Sequence, residues 1–261
     1  MRVWYLVLSL IDQGDNVNNG VNYKLNPKKN LEYKDTIIAI IPAFNEGKNI
    51  REVIQKCKDY VHQIIVIDDG SRDNTVEIAK NMGVTAIVNE QNIGKTDSLK
   101  KGVNRGLEEN AEIFVLLDAD GQHNPQEIPL FLKKIQEGFD LVIGARKFDP
   151  EVMPGIRILA NSVSSYLVSL ICGVRIEDSQ SGYRAVKREV LEKITLNSKR
   201  FQADTEMIIK AAKCGFKIGF VPIDTIYHLE AKSKVNQILD PLRFVILLVQ
   251  LAFWRKKAGK K

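Results

Sequence analysis

From Thr36 onward, short runs of β-branched and aliphatic residues alternate with longer stretches whose apolar positions recur every three or four residues. Thr36–Ile41 (TIIAII) is one such run and is bounded by Pro42. Lys48–Tyr60 then sets Ile50, Val53, Ile54 and Cys57 at helical spacing. Gln63–Ile67 predicts a second strand, and Asp73–Met82 a helix with Asp73 as its N-cap. Val84–Val88 predicts a third strand, Thr96–Leu107 a third helix, Ile113–Leu117 a fourth strand, Pro125–Gln136 a helix and Asp140–Ile143 a further strand. Apolar strands with helices between them imply an α/β fold built on a parallel sheet covered on both faces. Past residue 150 the alternation breaks. Ile156–Ile171 and Ala203–Lys213 predict helices and Phe216–Val221 a strand before Pro222, a half expected to cover the sheet edge.

The two ends read differently. Residues 1–11 (MRVWYLVLSLI) are apolar but too short for a bilayer span, and no clear small-residue cleavage site follows. Residues 12–34 are rich in Asn, Gly and Lys and read as a mobile lead-in. Phe244–Trp254 (FVILLVQLAFW) is an apolar run of eleven residues, with Arg243 before it and Arg255, Lys256, Lys257, Lys260 and Lys261 after it. A spanning helix needs roughly 20 residues. A basic-flanked apolar helix ending in Trp instead fits the membrane interface, the alternative being a core or oligomer-contact helix with a solvated tail. The expected organisation is a flexible extension over 1–34, one domain over 35–235, and a membrane-proximal apolar helix with a basic tail over 236–261.

Composition narrows the classes. A chain of 261 residues suits one large α/β domain or two small ones, and 44% hydrophobic with 27% charged residues is an ordinary soluble composition. Cys57, Cys172 and Cys214 form no C-x-x-C pair, which argues against a disulfide framework or zinc site and fits a reducing compartment. A net charge of +6 and a pI near 9.1 suit an anionic partner. The basic residues are not interleaved with aromatics in one patch, so no nucleic-acid partner is expected.

The candidate chemistry sits where the strands end. Ile113–Leu117 stops at Asp118-Ala119-Asp120. In extended geometry residues i and i+2 point to the same side, so the two carboxylates can converge on one hard cation that keeps places open for phosphate oxygens. An acidic turn is the plainer alternative. Pro42-Ala43-Phe44-Asn45-Glu46 and Asp68-Asp69-Gly70-Ser71 follow two other strands, and ligands of such sheets bind beyond the strands' carboxyl ends. No G-x-G-x-x-G or Walker A sequence is present, which removes the main support for dinucleotide and P-loop readings. Lys95, in Asn92-Ile93-Gly94-Lys95, lies at a loop-to-helix junction that favours anions.

The order PAFNEGKNI (42–50), VIDDGSRDNT (66–75), LLDADGQH (116–123), SQSGYRAV (179–186) and TEMIIKAAKCGF (205–216) resembles the family 2 glycosyltransferases. Within that family it is similar to the dolichyl- or polyprenyl-phosphate mannose and glucose synthases, over roughly residues 36 to 245. The resemblance implies a GT-A fold, a Rossmann-like, mostly parallel sheet with a metal-binding D-x-D motif, and inverting transfer of a hexose from a nucleotide-activated sugar. It implies Mg²⁺ or Mn²⁺ on Asp118 and Asp120, with Gln122 as a third oxygen and Ala119 among the donor-binding residues. Asp69, and with it Asp68, would meet the nucleoside. Pro42, Ala43, Asn45 and Glu46 would cradle base and ribose, although Asn45 and Glu46 also suit a helix N-cap region. Arg146 matches a family arginine near the phosphates, and Arg157 and Lys234 match cationic positions near the acceptor phosphate.

A hydroxyl acceptor requires a carboxylate to take its proton, whereas a lipid phosphate is already anionic. Asp178, Asp204 and Glu206 are the candidate bases, and the last two equally suit a helix N-terminus. Ser181-Gly182-Tyr183-Arg184 matches the phosphate-acceptor subfamily, and the Q-x-x-R-W sequence of processive synthases is absent. The chain departs from the family pattern at Thr96-Asp97 and at Ala231-Lys232-Ser233-Lys234, and His228 has no family role. The expected partners are GDP-mannose or UDP-glucose, a polyprenyl or dolichyl phosphate, and the cytoplasmic membrane face, to which the protein would bind peripherally. A small membrane partner subunit or a homo-oligomer is a further expectation. The rivals are transfer to a sugar hydroxyl, nucleotidyl transfer, and a catalytically silent membrane scaffold.

Overall fold

Every residue of β1 (Ile37–Ala43) is Ile, Ala or Pro, and its side chains alternate between two buried layers. Ile37, Ala39 and Ile41 join one core and Ile38 and Ile40 the other. A strand apolar on both faces belongs inside a sheet covered on both sides, and β1 takes that place. The computed structural model describes residues 35–147, 155–198, 202–224 and 239–254. The extension over 1–34, His228, the Ala231–Lys234 motif and the basic tail from Arg255 lie outside the described residues.

The other strands are β2 (Gln63–Asp68), β3 (Thr85–Val88), β4 (Ile113–Leu116), β5 (Leu141–Arg146), β6 (Arg184–Lys187) and β7 (Ile218–Ile223). They form one seven-stranded sheet in the order β3-β2-β1-β4-β6-β5-β7. Strands β1, β2, β3 and β4 are parallel in register, with Ile40 opposite Ile65 and Leu116. The departure from an all-parallel sheet is β6, which runs antiparallel to both β4 and β5. It enters the sheet at the edge where its neighbours leave, so Arg184 lies opposite Leu116 and Ile143. β7 runs past its expected end through Pro222. It is an edge strand, where a missing N–H costs no ladder bond.

Helices α1 (Ile50–Cys57), α2 (Thr75–Asn81) and α4 (Ile128–Gln136) cover one face. The other face carries α3 (Lys95–Glu108), α5 (Gly155–Cys172), α6 (Arg188–Lys193), α7 (Gln202–Lys213) and α8 (Leu239–Ala252). α2 begins later than predicted, with Asn74 rather than Asp73 as N-cap. Asp73 instead accepts the Thr75 and Gly47 N–H groups, at 3.1 and 2.9 Å.

The placement of α3 matters most for the site. A Cβ at Gly102 would collide with Ile67 and Ile40, and one at Gly106 would stand 2.6 Å from the Phe114 ring. Glycine at these two positions lets the helix lie directly on β1, β2 and β4. Its first residue, Lys95, is thereby held over the carboxyl end of the sheet.

Candidate active site

Because β1, β2, β4 and β5 point the same way and β6 the opposite way, five chain segments meet at one edge of the sheet. The loops after β1 and β2 are stitched together. Asn45, in the left-handed region at φ 57°, donates its N–H to Ser71 Oγ at 2.8 Å and accepts the Arg72 N–H on Oδ1 at 2.8 Å. The Glu46 N–H reaches Thr75 Oγ1 at 2.9 Å. Pro42 and Ala43 finish β1 beside Ile67 and Asp68.

The two aspartates after β2 divide their tasks. Asp69, expected to meet the nucleoside, has both oxygens engaged within the protein. Oδ1 accepts from Asn89 Nδ2 (3.0 Å) and the Ile93 N–H (2.9 Å), and Oδ2 from the Gly94 N–H (2.9 Å). It fixes the loop that delivers Lys95. Asp68 is 1% exposed. Its Oδ2 accepts the Ser71 N–H at 2.9 Å, while Oδ1 has no hydrogen-bond partner among the described residues. A buried acceptor without a donor is costly, and the end of β2 is where a ligand N–H would relieve it.

After β4 the chain turns through Asp118, Ala119, Asp120 and Gly121, the last at φ 74°. Lys95 Nζ stands 2.5 Å from Asp118 Oδ1. Burial would raise the Asp118 carboxyl, but the charge of Lys95, aided by Arg184, holds it below the usual carboxylate range. Asp120 goes the other way, because burial and the adjacent Asp118 charge push it up and Glu46 adds to the effect. The Gln122 N–H donates to Asp120 Oδ1 at 3.0 Å. The site is therefore short of positive charge beside Asp120, as two oxygen donors for a divalent cation should be. Among the described residues no group of three or more His, Cys, Asp or Glu could hold a metal ion. The two carboxylates fit an open site for a divalent cation, which would take its remaining oxygens from neighbouring groups such as the Gln122 side chain and from a ligand phosphate.

Of the remaining candidates, Arg146 and Asp178 form a bidentate pair, Nε to Oδ2 at 2.6 Å and Nη2 to Oδ1 at 3.0 Å. Asp178 is 1% exposed and also accepts the Gln180 and Ser181 N–H groups. Glu206 is equally committed. Lys210 Nζ lies at 2.6 Å, and its oxygens accept the Asn197 and Ser198 N–H groups. Those bonds outweigh burial and keep its carboxyl low. Asp204 is the carboxylate of the three with the loosest partner, Arg184 Nη2 at 3.6 Å, and its charge acts on Lys95. Arg157 is exposed on the first turn of α5, and Lys234 lies outside the described residues.

Two contributors carried no assigned role in the sequence. His123 accepts the Asp118 N–H on Nδ1 at 3.2 Å and stacks on Tyr183, ring centroids 5.0 Å apart, while the Tyr183 hydroxyl donates to the Asn124 carbonyl. Accepting on Nδ1 fixes the Nε2–H tautomer. Arg184, 0% exposed, donates Nε to the Ser181 carbonyl and Nη1 to the Asp204 carbonyl. The available signal was their place inside the motifs LLDADGQH (116–123) and SQSGYRAV (179–186); between Arg184 and Ser181, a Cβ at Gly182 would stand 3.0 Å from Lys95 Nζ and 3.3 Å from Asp118 Oδ2.

The family model described as glycosyl transferase family 2 matches residues 38–195. A UDP-N-acetylglucosamine–dolichyl-phosphate N-acetylglucosaminyltransferase of Methanococcus voltae is 35% identical over 239 residues, covering 82% of this chain and 95% of that protein. A polyprenol monophosphomannose synthase of Mycolicibacterium smegmatis is 31% identical over 200 residues, covering 71% of this chain and 76% of that protein. The fold is similar to glucosyl-3-phosphoglycerate synthase of Mycobacterium tuberculosis, crystallised with Mn²⁺, uridine-diphosphate and glucosyl-3-phosphoglycerate. The TM-score is 0.65 at 21% identity, over 84% of this chain and 80% of that one.

The charge imbalance at Asp120 has a measurable consequence. Asp120→Asn keeps the Oδ1 acceptor and removes the disfavoured charge, so the metal-free variant should be more stable than the parent by about 1 kcal/mol at pH 7. A carboxyl whose pKa is raised by folding loses its stabilising contribution as pH rises through that pKa, so the gain should vanish in acid. Urea denaturation in EDTA at pH 7 and pH 4 measures both, and a variant no more stable at pH 7 contradicts the assignment.

Proposed function

The chain belongs to glycosyl transferase family 2 and is a GT-A-type glycosyltransferase, and from that premise we propose that its acceptor is a polyprenyl or dolichyl phosphate. The donor is a nucleotide-diphosphate sugar carrying a hexose, mannose or glucose, and transfer inverts the anomeric carbon. The observation that carries this reading is the paired strand-tip carboxylates, Asp118 held low by Lys95 and Asp120 left under-compensated. When bound there with Gln122, Mg²⁺ or Mn²⁺ supplies Lewis-acid neutralisation of the leaving diphosphate.

The chain's own residues do the rest. Asp68 Oδ1 accepts an N–H of the base, and Pro42, Ala43, Asn45, Glu46 and Ala119 frame the nucleoside and donor. Asp69 acts one step back, holding the loop that presents Lys95 to the diphosphate. Arg146 faces the phosphates from the end of β5, with Asp178 fixing its guanidinium. Arg157 and Lys234 meet the acceptor phosphate. That acceptor arrives anionic and needs no base, which agrees with Asp178 and Glu206 being committed to hydrogen bonds within the protein. Asp204 would serve as base only for a hydroxyl acceptor.

Two helices support a membrane-borne acceptor. α5 is built inside out: Asn161, Ser164, Ser165 and Val168 face the protein, while Ile156, Leu159, Val163, Tyr166 and Leu170 are exposed along one stripe. A helix at a water-exposed surface shows the reverse pattern. α5 is long and apolar enough to cross a bilayer. However, Ser165 Oγ and Ser169 Oγ accept the Ser179 and Ile176 N–H groups, at 3.0 and 2.9 Å, and tie it along the domain. α8 is divided. Leu247, Leu248 and Leu251 enter the core, and Leu242, Val245, Ile246, Val249 and Phe253 are exposed. Lys213 Nζ donates to its last carbonyl, Ala252, at 2.6 Å and to that of Trp254 just past its end at 3.2 Å. We place this apolar face on the cytoplasmic membrane surface, with the basic tail on anionic headgroups.

Two measurements test the reading. In a thermal-shift screen of GDP-mannose, UDP-glucose and UDP-N-acetylglucosamine, one hexose donor should raise Tm only with Mn²⁺, and Asp118→Ala should lose that response. A metal-independent shift in both proteins sinks the donor assignment. Leu170→Asp with Val249→Asp should abolish sedimentation with anionic vesicles at unchanged Tm, whereas full sedimentation removes the membrane face.

A further inference from the structure

The ammonium of Lys95 stands where a cation bound to Asp118 would need room. It lies 2.5 Å from Asp118 Oδ1, and the charges of Asp204 and Asp120 also act on it. The backbone at Gly182 closes one side of the pair, since even a methyl group there would stand 3.0 Å from Nζ. A divalent cation on Asp118 would sit about 2.0–2.6 Å from its oxygens. It would then share that carboxylate with a like charge a few ångströms away. The two cations exclude each other by repulsion and by competition for the same oxygen.

The backbone of Lys95 cannot yield, because Asp69 pins Ile93 and Gly94 just before it and Gly102 and Gly106 seat α3 on the sheet. Only the four-carbon side chain can swing. Its side chain is 28% exposed, so it has an open direction in which to move. Swinging out alone would take the ammonium away from its nearest counter-charge, Asp118. The diphosphate of a bound donor supplies one.

We infer that Lys95 is a displaceable counter-ion, moving from Asp118 to the donor's diphosphate, and that this exchange adds to the coupling between divalent-metal and nucleotide binding beyond what shared phosphate oxygens provide. Metal alone binds weakly because it must separate the ammonium from Asp118 with no phosphate to receive it. Nucleotide alone draws Lys95 away and leaves Asp118 and Asp120 shorter of positive charge. Together each removes the other's obstacle, which is a positive, reciprocal coupling. The inference rests on the assignment of Asp118 and Asp120 to the metal.

The test is Mn²⁺ binding to the full chain, followed by electron paramagnetic resonance, without nucleotide and with saturating GDP or UDP in separate titrations, the Mn²⁺–nucleotide equilibrium being subtracted. In the parent, one of the two nucleotides should tighten Mn²⁺ binding by about tenfold or more. Lys95→Met should tighten nucleotide-free Mn²⁺ binding by several-fold, and the further tightening on adding nucleotide should shrink by the same factor, leaving only what the shared phosphate oxygens supply. Lys95→Arg, which keeps the charge, should bind free Mn²⁺ as weakly as the parent, and Lys95→Gln repeats the test should the Met variant misfold. Unchanged Mn²⁺ affinity and unchanged coupling in the neutral variants overturn the counter-ion role. Asp118→Asn separates the two ideas: if it binds Mn²⁺ as the parent does, the metal assignment itself falls.

Discussion

Carboxylates gathered at the end of a buried sheet repel one another and lose hydration, so cations must be brought to them from elsewhere in the chain. Much of the architecture serves that need. Gly102 and Gly106 seat α3 so that Lys95 reaches Asp118. The reversed strand β6 brings the fully buried Arg184 to the edge where β4 ends. β5 ends on Arg146, which Asp178 holds in a fixed orientation. The compensation stops short of Asp120, whose carboxyl is pushed up by burial and the Asp118 charge, and the proposed divalent cation would make up that shortfall.

Much of this was legible in the residues. The runs ending at Pro42, Asp68 and Asp118 announce strands whose tips carry polar groups, because a buried strand has no other use for charge there. They are the adjacent strands β1, β2 and β4. β6 was not legible: four residues with Arg and Lys at its ends give no alternating pattern, and nothing local says that Arg184 is fully buried. The division between Asp68 and Asp69 was equally hidden. Adjacent aspartates look alike in sequence, and only the fold turns one toward the Ile93–Gly94 amides and leaves an oxygen of the other without a partner. Composition also located the apolar helices without saying which face of α5 is covered, since its buried positions are chiefly Asn and Ser.

The inward serines of α5 also link this helix to the site. They bind the segment that carries Asp178 and Ser181, and Asp178 in turn holds Arg146. The helix whose apolar stripe faces outward is thus joined by hydrogen bonds to a cation of the site. An acceptor whose chain lies in lipid and whose phosphate must reach the sheet edge would approach along this surface. A soluble sugar hydroxyl would have no use for it.

The most direct measurement is the product itself. Purified protein, Mn²⁺ and the stabilising nucleotide sugar would be incubated with vesicles containing polyprenyl phosphate, and the lipid extract analysed by mass spectrometry. The account predicts a polyprenyl phosphate carrying one hexose, formed together with one nucleoside diphosphate. Transfer of the sugar to a soluble glycan hydroxyl, with the lipid phosphate left unmodified, would contradict it.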